Sequence, residues 1–305
     1  MISVRDLRKS YGDVDAVCGI DLEIDAGEIF AFVGPNGAGK TTTVEILEGY
    51  RERSGGDAVV LGIDPAKADR EWRQRLGVVL QQCQMQRELT VRETVEMYAG
   101  YYRSPRPVAE TIEHVGLAEK AEARTGTLSG GQKRRLDVAL ALIGDPELLF
   151  LDEPTTGFDP TARRQAWEMI ARLREMGKTV FLTTHYMEEA QALADRVAII
   201  AHGRIVAEGP PDQLTGSEDG ASEVRFRLPD GVAVPRLQRA EAVPAVNGVV
   251  AIKTERPVET LHELTGWAIE NGVELRSLEV RRPTLEDVYI ELTSEPQEPS
   301  GGDRT

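Results

Sequence analysis

Gly34-Pro35-Asn36-Gly37-Ala38-Gly39-Lys40-Thr41 decides the fold of this chain. The stretch matches the pattern G-x-x-x-x-G-K-[ST] in full. It follows the apolar run Ile29-Phe30-Ala31-Phe32-Val33 and precedes a helical pattern over 42–48, which is the strand–loop–helix setting that a phosphate loop requires. Glycines let consecutive backbone N–H groups turn inward and approach a polyphosphate closely. A helix starting near Gly39 adds about +0.5 elementary charge at its N-terminus. Lys40 brings a full charge to the outer phosphates, Thr41 a hydroxyl for Mg²⁺, and Thr42 extends the same turn.

Working outward, the 305 residues suffice for one large or two modest domains, and 41% hydrophobic with 5% aromatic content suits a globular core. A net charge of −15 argues against a nucleic-acid partner, because phosphate binding needs a basic face. Cys18 and Cys83 form no spaced framework and read as free thiols in a reducing cytosol. The start, Met1-Ile2-Ser3-Val4-Arg5-Asp6, lacks the apolar block of a signal peptide. No segment reaches the ~20 apolar residues of a spanning helix; the longest candidate, 138–151, is broken by Asp145-Pro146-Glu147. Any membrane role is therefore expected to come through a partner.

Strand patterns alternate with helical ones along the first two thirds. Ile20-Asp21-Leu22-Glu23-Ile24 has period two, 77–80 and 148–151 read as buried strands, and 91–142 turns helical with interruptions at Pro105 and Pro107. Asp159-Pro160 opens a helix as N-cap and first helical residue. Then follow a strand at 179–183, a helix at 187–194, and a hairpin around His202-Gly203. Such alternation predicts an α/β domain with a largely parallel sheet. Gly209-Pro210-Pro211 marks a boundary, beyond which strands at 223–228, 249–254 and 274–280 and helices at 258–270 and 285–292 make a small α/β appendage. The stretch 294–305, with Pro, Gly and acids and almost nothing apolar, is expected to be a disordered tail.

Two further stretches carry chemistry. Leu128-Ser129-Gly130-Gly131-Gln132 precedes a helical run over 133–143. Ser129 with Gln132 three residues on is a capping box, yet two intervening glycines are poor helix formers. Their better use is close approach of backbone N–H groups to an anion at a helix start. The chain thus presents two phosphate-binding helix N-termini, and two copies arranged head to tail would use each other's. Asp152-Glu153 ends the apolar strand Leu148-Leu149-Phe150-Leu151. An acid at that strand end, beside a phosphate loop, suits Mg²⁺ holding, and its neighbour suits deprotonation of an attacking water.

Taken in order, these motifs resemble the ATP-binding subunit of ABC transporters over residues 1 to about 210. The resemblance implies a P-loop ATPase of ABC type: a parallel-sheet core, an antiparallel β subdomain and a helical insert at about 86–142. It implies ATP and Mg²⁺ as ligands, with Asp152 on the Mg²⁺ shell, Glu153 as catalytic base and Ser129, Gly130, Gly131 and Gln132 as the family signature. Gln81, or the adjacent Gln82, sits where the family has its Mg²⁺- and water-sensing glutamine, ahead of Leu89-Thr90-Val91-Arg92-Glu93. Asp159 matches the dimer-contacting loop, His185 the switch histidine at the γ-phosphate, and Tyr11 the aromatic that stacks on adenine. Residues 211–293, above all Pro283-Thr284-Leu285-Glu286-Asp287-Val288-Tyr289, resemble the extension of daunorubicin-resistance exporter ATPases.

The implied partners are a second copy, head to tail, and an ABC-2 type transmembrane permease, with the chain peripheral on the cytoplasmic face of the membrane. Movement would pass through the surface around Gln81, where Arg87, Arg92 and Glu93 are either partner contacts or plain solvated charges. The expected activity is ATP hydrolysis driving export of a drug-like or hydrophobic compound. The competing reading is a soluble ABC ATPase acting on ribosomes, DNA or assembly machinery, which the acidic charge and single ATPase half disfavour; a GTPase is disfavoured by the lack of an Asn-Lys-x-Asp motif.

Overall fold

The computed structural model describes residues 1–79, 86–216, 222–229, 232–234, 237, 242–244 and 249–294. Gln81, Gln82, Cys83 and most of the expected tail lie outside them. The chain divides into two compact units, Met1–Pro210 and Pro211–Thr305.

The first unit is built on a six-stranded sheet. Its strands are β3 (Ile29–Val33), β5 (Leu76–Val79), β6 (Leu148–Asp152), β7 (Thr179–Thr184), β8 (Arg196–Ala201) and β9 (Arg204–Gly209), in the order β5-β6-β7-β3-β8-β9. All neighbours run parallel except the β8–β9 hairpin. Strands covered on both faces read as continuous apolar runs. Every residue of β3 and β7 is buried, and Phe181 of β7 lies 5.6–5.8 Å from the rings of Phe30, Phe32 and Phe150. A second sheet, β2-β1-β4, is antiparallel and joins β1 (Ile2–Tyr11), β2 (Val14–Ile24) and β4 (Gly55–Val60). Its inward residues, among them Ile2, Val4, Ile20 and Leu22, complete the same core. The expected parallel core and antiparallel β subdomain are both present.

Helices connect the strands. Helix α1 (Lys40–Leu47) follows β3, and the short α2 (Arg70–Gln74), which the sequence pattern did not reveal, is capped by Asp69. Helices α3 (Val91–Ala99), α4 (Val108–His114) and α5 (Gly130–Leu142) resolve the interrupted helical stretch, and α6 (Pro160–Glu175) and α7 (Met187–Leu193) complete the unit. Two of the candidate partner-facing charges have internal duties. Glu93 closes a capping box with Thr90, and Arg92 pairs with Glu122 at 2.6 Å.

The second unit contains α8 (Pro211–Leu214), β10 (Ser222–Arg227), β11 (Ala242–Pro244), β12 (Val249–Thr254), α9 (Pro257–Glu270), β13 (Arg276–Arg281) and α10 (Leu285–Ser294). The four strands form an antiparallel sheet, β11-β12-β10-β13. Val224, Phe226, Val250, Ile252 and Leu264 are its core. The Pro-Thr-Leu-Glu-Asp motif now has a physical account. Thr284 and Asp287 exchange side-chain and backbone hydrogen bonds at the start of α10, and Asp287 also accepts from Arg281 (2.7 Å) and Arg225 (3.2 Å). Burial pushes this carboxyl up, but hydrogen bonds from Arg281 and Thr284 outweigh it and bring it to about 2, below its ordinary 3.8.

Asp287→Asn is therefore expected to destabilise this unit by about 1–3 kcal/mol at pH 7, the scale of a charge-assisted bond lost beside two guanidinium groups. The sign follows from the lowered pKa: the contribution is present above 3.8 and is lost as pH falls through about 2. Urea unfolding at pH 7 and pH 3 checks both parts; an equal gap at the two pH values would assign the loss to shape and not to charge.

Candidate functional site

The sheet register places the candidate groups side by side. Val33 pairs with Thr184 and Asp152 with Thr183, so Gly34, His185 and Glu153 leave the carboxyl ends of three adjacent strands at one level. That edge is where open α/β sheets bind ligands. A cavity of about 740 Å³ opens there, lined by Ala16, Asn36, Gly37, Gly39, Lys40, Thr41, Thr42, Glu153, Thr156 and His185. Gly34, Pro35 and Ala38 complete the loop behind it. Gly39 adopts φ 107°, and a Cβ there would lie 2.4 Å from the Ala16 carbonyl oxygen. Only glycine fits that turn.

Lys40 is 6% exposed. Its Nζ donates to the carbonyls of Gly34 (2.7 Å) and Pro35 (3.1 Å) and lies 4.0 Å from Glu153 Oε1. Burial pulls its pKa below the ordinary value, against the opposing pull of Glu153 and Asp152. A phosphate in the loop would add a closer countercharge than the Glu153 carboxylate at 4.0 Å.

Glu153 sits at φ 46°, in the left-handed region that residues with a side chain seldom enter. Its N–H donates to the carbonyl and the hydroxyl of Thr183, both at 3.1 Å, which holds the unusual turn. Such conformations cost about 1–3 kcal/mol and concentrate at functional sites. Thr156 donates to the carboxylate Oε2 (3.0 Å), while His185 Nδ1 and Lys40 Nζ stand 3.2 Å and 4.0 Å from Oε1, the histidine without hydrogen-bond geometry. Asp152 accepts from the Thr183 hydroxyl (2.5 Å). Burial first, then the carboxylates of Asp152 and Glu45, push Glu48 up to about 8.

A neighbouring cavity of about 900 Å³ holds the second helix N-terminus. Ser129, Gly130, Gly131, Lys133 and Asp159 line it, and among the described residues it shares Glu153 and Thr156 with the first. The capping box is formed: Ser129 Oγ accepts from the Gln132 N–H (3.3 Å), and Gln132 Oε1 accepts from the Ser129 N–H (3.0 Å). Asp159 caps α6, accepting from the N–H groups of Thr161 and Ala162. Tyr11 ends β1, 41% exposed and outside the lining of the first cavity, with Lys9 and Arg51 each 5.2 Å from its ring centre.

Sequence reasoning missed several contributors. Thr156 had a faint signal, lying three residues beyond Glu153. Arg134 had none: from within α5 its buried guanidinium donates to the carbonyls of Asp152 (2.6 Å) and Pro154 (3.2 Å), tying the signature helix to the acidic strand end.

Comparison with known proteins agrees with this geometry. Residues 17–156 match the family described as ABC transporter, and residues 222–284 match the C-terminal domain of ABC transporter domain-containing protein-like sequences. The chain is 40% identical to Nod factor export ATP-binding protein I of Rhizobium sp. (strain N33), over 97% of this chain and 98% of that protein. It is 36% identical to daunorubicin resistance ATP-binding protein DrrA2 of Streptomyces coeruleorubidus, over 96% and 94%. Among solved structures, a dimeric ATP-binding cassette in a post-hydrolysis state with ADP and Pi superposes with a TM-score of 0.61 at 26% identity, covering 69% of this chain and 98% of that one. With the phosphate loop, the strained acid and the histidine gathered at one sheet edge, and relatives matched along nearly its whole length, the chain belongs to the ATP-binding proteins of the ABC transporter family.

Proposed function

We propose that this chain is the ATP-hydrolysing subunit of a membrane exporter for a drug-like or hydrophobic compound. It works as a head-to-tail homodimer beneath an ABC-2 type permease, on the cytoplasmic face of the membrane. The relatives named for Nod factor export and daunorubicin resistance support the exporter reading. Among the described residues no helix is long and apolar enough to cross a membrane; in this reading a partner supplies the translocation path.

The observation that carries the dimer is at Gly130 and Gly131. A Cβ at Gly130 would meet nothing within 4 Å, and one at Gly131 only an ordinary contact with Ala162 at 3.6 Å. The chain's own packing requires neither glycine. The open space above a helix N-terminus is then kept for an anion from outside, the γ-phosphate held by the other subunit.

In the closed dimer, backbone N–H groups between Asn36 and Thr42 hold the phosphates. Glu153, aimed by Thr156, takes the proton of the attacking water. Lys40 and His185 stabilise charge developing on the γ-phosphate oxygens. The Thr41 hydroxyl and Asp152 carboxylate are the hard oxygen donors that would hold Mg²⁺. When bound, Mg²⁺ neutralises charge on the phosphates. By the family resemblance Gln81, or the adjacent Gln82, would join the same shell; both lie outside the described residues.

Gly130→Asp tests the dimer. A carboxylate in the first turn favours the isolated helix by about 0.3–1 kcal/mol, so the monomer is expected to keep its melting temperature. ATP-dependent dimerisation and turnover are expected to be lost. Dimerisation with ATP unchanged in that variant would sink the head-to-tail arrangement. Pull-down from gently solubilised membranes then tests the partner: a stoichiometric polytopic protein supports the exporter, and a soluble assembly alone supports the competing class.

A further inference from the structure

His185 approaches Glu153 without a hydrogen bond that fixes its ring; among the described residues its Nδ1 has no partner of good geometry. Something else must choose its rotamer. The ring of the next residue does so. The centres of the His185 and Tyr186 rings lie 4.0 Å apart at 41°, and the Arg163 guanidinium sits over the Tyr186 ring at 4.4 Å. Arg163 belongs to the first turn of α6, four residues beyond Asp159. The Tyr186 N–H donates to Thr184 Oγ1 (3.0 Å), which sets the turn between β7 and α7.

The stack rests on a buried floor. Glu189, in the first turn of α7, is fully buried and accepts from Thr155 (2.8 Å) and from the Trp167 indole (3.1 Å). Thr155 stands two residues beyond Glu153, and Trp167 one helical turn beyond Arg163. One carboxylate thus links the segment after the acid, the helix after Asp159 and the helix after His185. Burial raises the Glu189 pKa, and the Arg163 charge is near enough to oppose that rise.

We propose that Tyr186 is a positioning residue: in contact with both Arg163 and His185, its ring holds the imidazole beside Glu153 and ties its orientation to α6. The position of the Asp159 loop, which faces the second cavity, then bears on where the imidazole points in the first. An aromatic ring in contact with both a cation and an imidazole is suited to this, because such ring contacts are directional. The proposal rests on His185 acting at the γ-phosphate, as read above.

The full-length chain carries the test through two signals. The protein has four histidines, so their imidazole C–H resonances can be assigned by His→Gln substitution, and the His185 signal reports its neighbouring ring directly. Tyr186→Leu is expected to move that signal and to lower kcat about tenfold with the KM for ATP within about twofold, the signature of lost transition-state stabilisation. Tyr186→Phe keeps the ring and is expected to restore both readings. Arg163→Met is expected to act in the same direction, and to add nothing further in the Tyr186→Leu background. An unmoved His185 signal, full turnover in Tyr186→Leu, a loss confined to KM, or Tyr186→Phe as impaired as Tyr186→Leu would each overturn the proposal. Should Tyr186→Leu fail to fold, Arg163→Met decides by the same criteria. Turnover of the parent chain and its loss in His185→Ala test the ATPase reading separately, since the resonance reports the stack whether or not hydrolysis occurs.

Discussion

Glu153→Gln is expected to bind ATP normally and to lose about 10²–10⁴-fold in turnover, the range for removal of a general base. The substitution keeps the shape of the side chain and the backbone turn, because the φ of 46° is held by the N–H to Thr183 and not by the carboxylate. It removes one negative charge 4.0 Å from Lys40 and beside the phosphate loop. Nucleotide affinity is therefore expected to hold or rise while chemistry fails, since the buried Lys40 ammonium then loses its nearest carboxylate and pairs the more strongly with phosphate. ATP binding by titration calorimetry and single-turnover phosphate release check the two parts. Turnover like that of the parent would remove Glu153 from the role, and loss of binding would make it a structural residue.

Gly39→Ala is expected to abolish measurable ATP binding and to lower stability by about 2–4 kcal/mol, adding backbone strain to a steric clash. Both parts come from position: φ is 107°, and the new Cβ would lie 2.4 Å from the backbone oxygen of Ala16. Backbone does not yield as a flexible side-chain end would. Gly37→Ala supplies the contrast, for φ is 82° but nothing stands within 4 Å of the new Cβ. That variant is expected to carry only the strain, about 1–2 kcal/mol, and to lose affinity mainly where the methyl group meets phosphate. Thermal unfolding alongside ATP titration separates the two. Equal melting temperatures for both variants would show that the Ala16 contact relaxes and that strain alone sets the cost.

What the sequence by itself determined was whatever short-range pattern encodes. The phosphate loop announces itself because its glycines, lysine and threonine are needed within eight consecutive residues. The parallel strands show as unbroken apolar runs because both their faces are covered, and the Ser129 and Asp159 caps show because a cap needs only its own next turn. Three of the second unit's strands and its two longer helices were legible in the same way, with ends shifted by a residue or two, while the short β11 and α8 gave too little pattern to read. Order along the chain then carried the family resemblance.

Tertiary structure alone decided the relations between segments far apart in the chain. Nothing near Arg134 says that it reaches the carbonyls of Asp152 and Pro154, or that Arg163 lies over Tyr186. The left-handed turn at Glu153 is equally invisible, since a strand-ending acid has no local need for positive φ; it exists because Thr183, on the adjacent strand, holds the N–H. The same holds for Arg92 and Glu93, whose charges look available to a partner until the cap at Thr90 and the ion pair with Glu122 are seen. Local periodicity says which residues are inside and which helix begins where. Which side chains meet depends on the register of β6, β7 and β3, and that register is fixed by packing summed over the whole sheet, so no single stretch of the chain contains it.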